Sequence, residues 1–155
     1  MRNMCHIRKA KPEDLVRIAE MEVFNYRLNF YPIFGSDWFY FQELQVPKLA
    51  RAYESAMDSL WVYDDGVVKG FLQAENGEVK KLFVEPVLQG HSIGAKLLNY
   101  AVAELHVDFL WALEKNRKAI SFYQRHGFRV TADKKPEEGT TAYLVRLQRG
   151  SEGSP

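Results

Sequence analysis

The 155 residues, 46% of them apolar, are enough for one domain with a buried core and leave little for a second. Twenty-one basic and 20 acidic residues give a net charge of +1, with no sign of the broad basic face expected of a nucleic-acid or membrane-surface binder. The lone Cys5 excludes an internal disulfide and a cysteine-based metal site, and His6, His91, His106 and His126 lack ligand-like spacing, so no metal is expected. No apolar signal region opens the chain and no apolar run is long enough to cross a bilayer, which makes a soluble cytoplasmic protein the default expectation.

Residues 4–9 read as a first strand, and Pro12 with Glu13 and Asp14 as the start of a helix. Its inner face carries Leu15, Ile18, Ala19 and Glu22. The segment 24–41 is dense in aromatics and interrupted by Pro32 and Gly35, which predicts a helix, a bend and a second helix over 39–57. Leu60–Tyr63 and Val67–Ala74 flank Asp64-Asp65-Gly66 as a hairpin, and Asn76-Gly77 marks a further turn before a strand over 78–84. Ile93, Leu97, Leu98, Ala101, Val102 and Leu105 fall at helical spacing, giving a helix of roughly 91–106. A buried strand over 108–113 follows, then a helix capped by Asn116 and terminated by Gly127. Phe128–Thr131 and Thr141–Leu147 are expected as the last strands, Lys134–Gly139 as a charged loop, and 150–155 as a disordered tail. One α/β domain over 1–149 is the result, with no internal repeat.

The loop between the strand at 78–84 and the next helix carries the chemistry. A helix start leaves N–H groups unpaired and holds anions where the backbone can be approached, and Gly90 and Gly94 permit that approach. Two nucleotide patterns fail here. Gly90 and Gly94 are one residue too close for a P-loop and no Ser or Thr follows Lys96, while a dinucleotide fingerprint needs other spacing and an earlier strand.

Gln89-Gly90-His91-Ser92-Ile93-Gly94 resembles instead the Q/R-x-x-G-x-G/A pyrophosphate loop of the GNAT superfamily of N-acetyltransferases, with Ser92 in place of the middle glycine. Asn116–Phe128 resembles the superfamily's later motif, N-x-x-A-x-x-F-Y-x-x-x-G-F, at the expected distance downstream. The order of elements agrees along nearly the whole chain, and small bacterial lysine or peptide acetyltransferases are the nearest likeness. The resemblance implies a mixed, mostly antiparallel sheet of six to seven strands, about four helices and a splayed central strand pair. It implies acetyl-CoA as acyl donor and a primary amine, on a peptide, a protein or a small molecule, as acceptor, in a monomer or homodimer.

Residue by residue, the resemblance assigns Leu82, Phe83 and Val84 to the pantetheine arm. The amides of Gln89, Gly90, His91, Ser92, Ile93, Gly94 and Ala95 would face the pyrophosphate, and Asn116 the acetyl end. Asn116 is equally explained as a helix cap. Tyr123 matches the tyrosine that protonates the departing thiolate, against the alternative of a core aromatic beside Phe122. The acceptor needs a base, because a lysine with a pKa of about 10.4 is mostly protonated at neutral pH. Glu78, eleven residues before Gln89, is the candidate, or else an exposed carboxylate after a turn; Glu114 is a further one. The glutamate that other members place five residues before the asparagine is Trp111 here. Implied too is an acceptor pocket shaped by 29–36, with Phe30, Tyr31 and Phe34, and Trp38 just beyond. Ser92 and Trp111 leave a rival reading open, a non-catalytic acyl-CoA-binding module of the same fold.

Overall fold

A computed structural model describes residues 5–150. Strand β1 (Ile7–Lys9) leads through a turn at Pro12–Asp14 into α1 (Leu15–Asn25). The residue Met4 of the expected first strand and the expected tail beyond residue 150 lie outside the described residues. The helix α1 widens into a π turn at Tyr26–Phe30 and ends in the single turn α2 (Tyr31–Phe34). Pro32 accounts for the widening, since it has no N–H to donate and its ring clashes with the carbonyl four residues back.

The helix expected over 39–57 is broken. A π turn at Phe39–Glu43 ends at Leu44 (ψ 94°), α3 spans Val46–Ala52, and a 3₁₀ segment, Tyr53–Ser59, completes the stretch. Pro47 is the physical reason: it has no N–H to bond back to residue 43 and its ring would clash with that carbonyl, so the helix breaks and a new one starts with Pro47 in its first turn.

Strands β2 (Leu60–Asp64), β3 (Val68–Glu75) and β4 (Glu78–Val84) form two successive hairpins, the second turning at Asn76 and Gly77, both at positive φ. Helix α4 (Ile93–Leu105), β5 (Phe109–Leu113), α5 (Arg117–Arg125), β6 (Phe128–Pro136) and β7 (Tyr143–Arg149) complete the chain. Lys134–Pro136, expected in a loop, belong to β6 and pair with Val145–Tyr143 after an irregularity that skips Thr131–Asp133. Edge position explains it: β6 is the outermost strand, where lysines and a proline are tolerated.

The seven strands run in the order β1-β2-β3-β4-β5-β7-β6, and every neighbouring pair is antiparallel except β4 with β5. Ile18, Met21, Leu60, Val62 and Phe71 bury one face under α1 and α3. Leu72, Val79, Leu97, Leu98, Leu110 and Leu147 bury the other under α4 and α5. Gly70 lets α4 close on β3: a Cβ there would stand 3.0 Å from Leu97 Cδ1 and 3.2 Å from Ile93 Cγ2. The parallel ladder between β4 and β5 has two rungs, Glu78–Phe109 and Val79–Leu110, after which the strands part. That splay makes the site.

Candidate active site

Beyond Val79 the inner edge of β4 has no strand beside it. Glu85 N–H donates to Lys69 O at 2.9 Å, so the alternation of an antiparallel ladder turns the backbone groups of Phe83 toward β3 and those of Leu82 and Val84 into the gap. Asn25 on α1 takes one of them: its Nδ2 donates to Val84 O at 2.9 Å. Leu82 and the Val84 N–H are left to pair with a ligand.

At the wide end of the gap a short turn, Pro86–Leu88, leads into the phosphate-type loop. Gly90 stands at φ 90°, and Ser92, the residue before α4, at φ 69° and ψ 5°. A left-handed residue followed by the right-handed start of a helix, as at Ser92 and Ile93, turns successive N–H groups to one side, the concavity that holds an oxyanion. The amides of Ile93, Gly94 and Ala95 lie in the first turn, without partners inside the helix. A Cβ on Gly94 would meet Phe122 at 3.5 Å and Val84 Cγ2 at 3.7 Å, ordinary contacts, which explains why alanine is an allowed alternative at this motif position.

Helix α5 forms the facing wall. Asn116 accepts from Ala119 N–H at 3.2 Å and so caps the helix. One turn further, Tyr123 is buried with its ring edge-on to Phe122 (5.2 Å) and Phe128 (6.0 Å). Burial pushes its phenol well above the usual range, so the group holds its proton at any physiological pH. His126 donates from Nδ1 to Phe122 O (2.8 Å), since a carbonyl can only accept, which leaves Nε2 free.

The space enclosed is a cavity of about 570 Å³ reaching from the loop past Leu82, Phe83 and Val84 to Tyr123. Its lining includes Gln89, Gly90, Ser92, Ile93, Gly94, Ala95 and Asn116, residues that the sequence reading had named. Two expected residues do not line it. His91 is exposed on the loop, and Glu78 sits at the closed end of the strand pair, opposite Phe109, with Oε1 3.9 Å from Lys80 Nζ. Trp111 packs under Lys135 Nζ, 4.3 Å from its ring centre, and Glu114 pairs with Lys134 at 2.9 Å. Phe30 reaches the cavity, whereas Trp38 is 63% exposed.

Asn29 and Phe30 come from the segment expected to shape the acceptor pocket, while lining residues that the sequence reading did not name for the site include Asn25 and, on α5, Lys118, Arg125 and His126. The spacing 118, 122, 125/126 places the last three with Phe122 on one helix face, a signal that was there to be read. None of the lining residues is acidic. Behind the wall, Tyr26 stacks on Phe30 (4.8 Å) and lies edge-on to Phe83 (5.6 Å). Next to it, buried Glu22 accepts from Tyr53 Oη and from Lys81 Nζ.

Residues 57–130 match the acetyltransferase (GNAT) domain family. The chain has that family's fold as well: the PaiA N-acetyltransferase of Thermoplasma acidophilum, solved in complex with coenzyme A, superposes with a TM-score of 0.65 over 92% of this chain and 97% of its own, at 21% identity. Over that stretch, and in its fold, this chain is similar to the GNAT acetyltransferases.

Among its relatives, a Mycobacterium tuberculosis protein named as a probable N-acetyltransferase is 27% identical over 146 residues, covering 80% of this chain and 79% of its own. The peptidyl-lysine N-acetyltransferase YiaC of Escherichia coli is 31% identical over 87 residues, 55% of this chain and 59% of its own. The family match covers the loop, α4 and α5; α1 and the aromatic segment after it, which supply Asn25, Asn29 and Phe30, lie outside it. Among the described residues no helix is long and apolar enough to cross a membrane.

Proposed function

We propose that the chain moves an acetyl group from acetyl-CoA to a primary amine, by direct attack within a ternary complex. The observation that carries this reading is the cavity itself. It runs from an anion-fitting loop to a buried, protonated tyrosine, has free strand backbone along one side, is flanked by Lys118, Arg125 and His126, and contains no carboxylate to repel a polyanion.

Acetyl-CoA brings the activated acyl group; this chain's residues supply the rest. The loop amides from Gln89 to Ala95 hold the pyrophosphate, and Leu82 and Val84 offer backbone groups to an amide-bearing arm. The phenol of Tyr123 gives its hydrogen to the sulfur as the C–S bond breaks, and regains one from solvent. Retention of its proton suits it for that task and not for the base's. Glu78, at the closed end of β4, is the proposed acceptor of the amine's proton, through water. No covalent acyl-enzyme is involved, because Cys5 lies beside β1 against Tyr63 and Tyr100, away from the cavity. The acceptor enters past α1 and the aromatic turn 26–30. The likeness to a peptidyl-lysine acetyltransferase favours a lysine or N-terminal amine of a peptide over a polyamine.

The test is CoA release from acetyl-CoA across lysine peptides, N-terminal amines and polyamines, comparing the wild type with Tyr123→Phe. Turnover on one class, reduced about 10²-fold or more by the substitution, is the expected result. Acetyl-CoA binding without CoA release on any acceptor would leave the non-catalytic module as the correct reading.

A further inference from the structure

Asn25 is 2% exposed, lies on α1 outside the acetyltransferase match, and touches both ends of the connection that builds the phosphate site. Its two N–H groups are both committed: Nδ2 donates to Met21 O at 2.8 Å within its own helix and to Val84 O at 2.9 Å at the end of β4. Rotating the amide would set its oxygen against two carbonyl oxygens, so its orientation is determined. Oδ1 must therefore face the loop, where it accepts from Gln89 Nε2 at 2.9 Å and from Asn29 Nδ2 at 3.4 Å. Gln89 is the first residue of the loop motif. A second bolt lies alongside: Arg17, also on α1, reaches Glu85 Oε1 at 2.7 Å and Val68 O at 3.0 Å.

We propose that Asn25 is the positioning residue of the pyrophosphate loop, a buried amide that holds the strand exit and the Gln89 side chain in one hydrogen-bonded unit and so keeps the loop amides aligned before the ligand arrives. This rests on the acetyl-CoA reading of the site. Only Gly90, His91 and Ser92, all exposed, lie between Gln89 and α4, and such a segment left untethered would have to be ordered at the expense of binding energy. The tether comes from the helix that leads to the acceptor-side aromatics, so one residue joins the two binding regions.

The experiment compares two donors, acetyl-CoA and S-acetyl-pantetheine, which has the thioester but neither the pyrophosphate nor the nucleotide. Asn25→Ala and the near-isosteric Gln89→Met each raise the KM for acetyl-CoA about 10- to 50-fold with kcat within threefold, the scale of lost supporting contacts. The double variant is no worse than Asn25→Ala, because both remove one unit. Turnover of acetyl-pantetheine stays within about twofold of wild type. CoA binding measured by calorimetry follows the same order and needs no turnover. Equal losses on both donors, an unchanged acetyl-CoA KM in Gln89→Met, or additive losses in the double variant would overturn the assignment. Gln89 is exposed, so its variant folds even if Asn25→Ala does not. A wild type that binds no CoA refutes the cofactor reading; one that binds CoA equally well in all variants refutes only the role of Asn25.

Discussion

Lys81 Nζ lies 2.7 Å from Oε2 of Glu22, a carboxylate on α1 that is 1% exposed. The same Nζ donates to Tyr53 Oη at 2.9 Å and sits 5.1 Å from the centre of its ring. Lys81→Met removes the ammonium and leaves the buried charge beside neutral phenols. We expect a loss of about 2–4 kcal/mol by urea unfolding, below the full range for a buried pair because the lysine side chain is partly exposed. The double variant Glu22→Gln/Lys81→Met should recover at least half. A double variant as unstable as the single would show that the pair is not the source of the loss.

Three phenols make the protein sensitive to alkali. Burial raises the pKa of Tyr123, and burial together with the charge of Glu22 raises those of Tyr26 and Tyr53. A raised folded pKa gives stability that is complete below the unfolded value and lost as pH rises through the folded one. The unfolded chain releases these protons near pH 10 while the folded chain keeps them, so stability should fall above about pH 10 by up to about 4 kcal/mol per pH unit. Urea midpoints at increasing pH, with tyrosinate absorbance, measure it; midpoints flat to pH 11 would contradict the burial.

Ser92 occupies a left-handed conformation that costs an L-residue about 1–2 kcal/mol, against a smaller entropic cost for glycine. Ser92→Gly should raise stability by about 0.5–1 kcal/mol, and Ser92→Val should lower it further than Ser92→Ala. Chemical denaturation checks the order. Calorimetry on the glycine variant then reports whether the Ser92 hydroxyl contributes to CoA binding.

The cap at Asn116 and its proposed contact with the cofactor can be separated by substitution. Asn116→Ala removes the cap to Ala119 and should cost about 1 kcal/mol. Asn116→Asp keeps the accepting oxygen, and so the stability, but replaces the Nδ2 donor beside the cavity with negative charge. Wild-type stability with weakened acetyl-CoA affinity is the expected pair of results; unchanged affinity would reduce Asn116 to a cap.

What could be read from the sequence was local. The loop, α4 and α5 declare themselves through apolar period, a cap residue and glycines at positive φ, all within a few residues of one another. The splayed pair followed from the resemblance and is present. The contact of Asn25 with Gln89 spans 64 residues and leaves no trace in either neighbourhood. The π turn at 26–30 and the break at 44–45 were hidden because aromatic-rich stretches keep a helical apolar period across a proline that their backbone cannot follow. The second half of β6 looked like a loop because its lysines and proline sit on an edge strand, where strand composition and loop composition coincide.

Hydrogen exchange should expose the two-rung ladder between β4 and β5 in a way that sequence position would not suggest. Amides in the middle of a seven-stranded sheet are ordinarily among the last to exchange. Here the Leu82 and Val84 amides face a gap, and in the free protein they should exchange as fast as those of an outer strand. The sheet therefore has a solvent-facing rim at its centre, bordered by strands on either side.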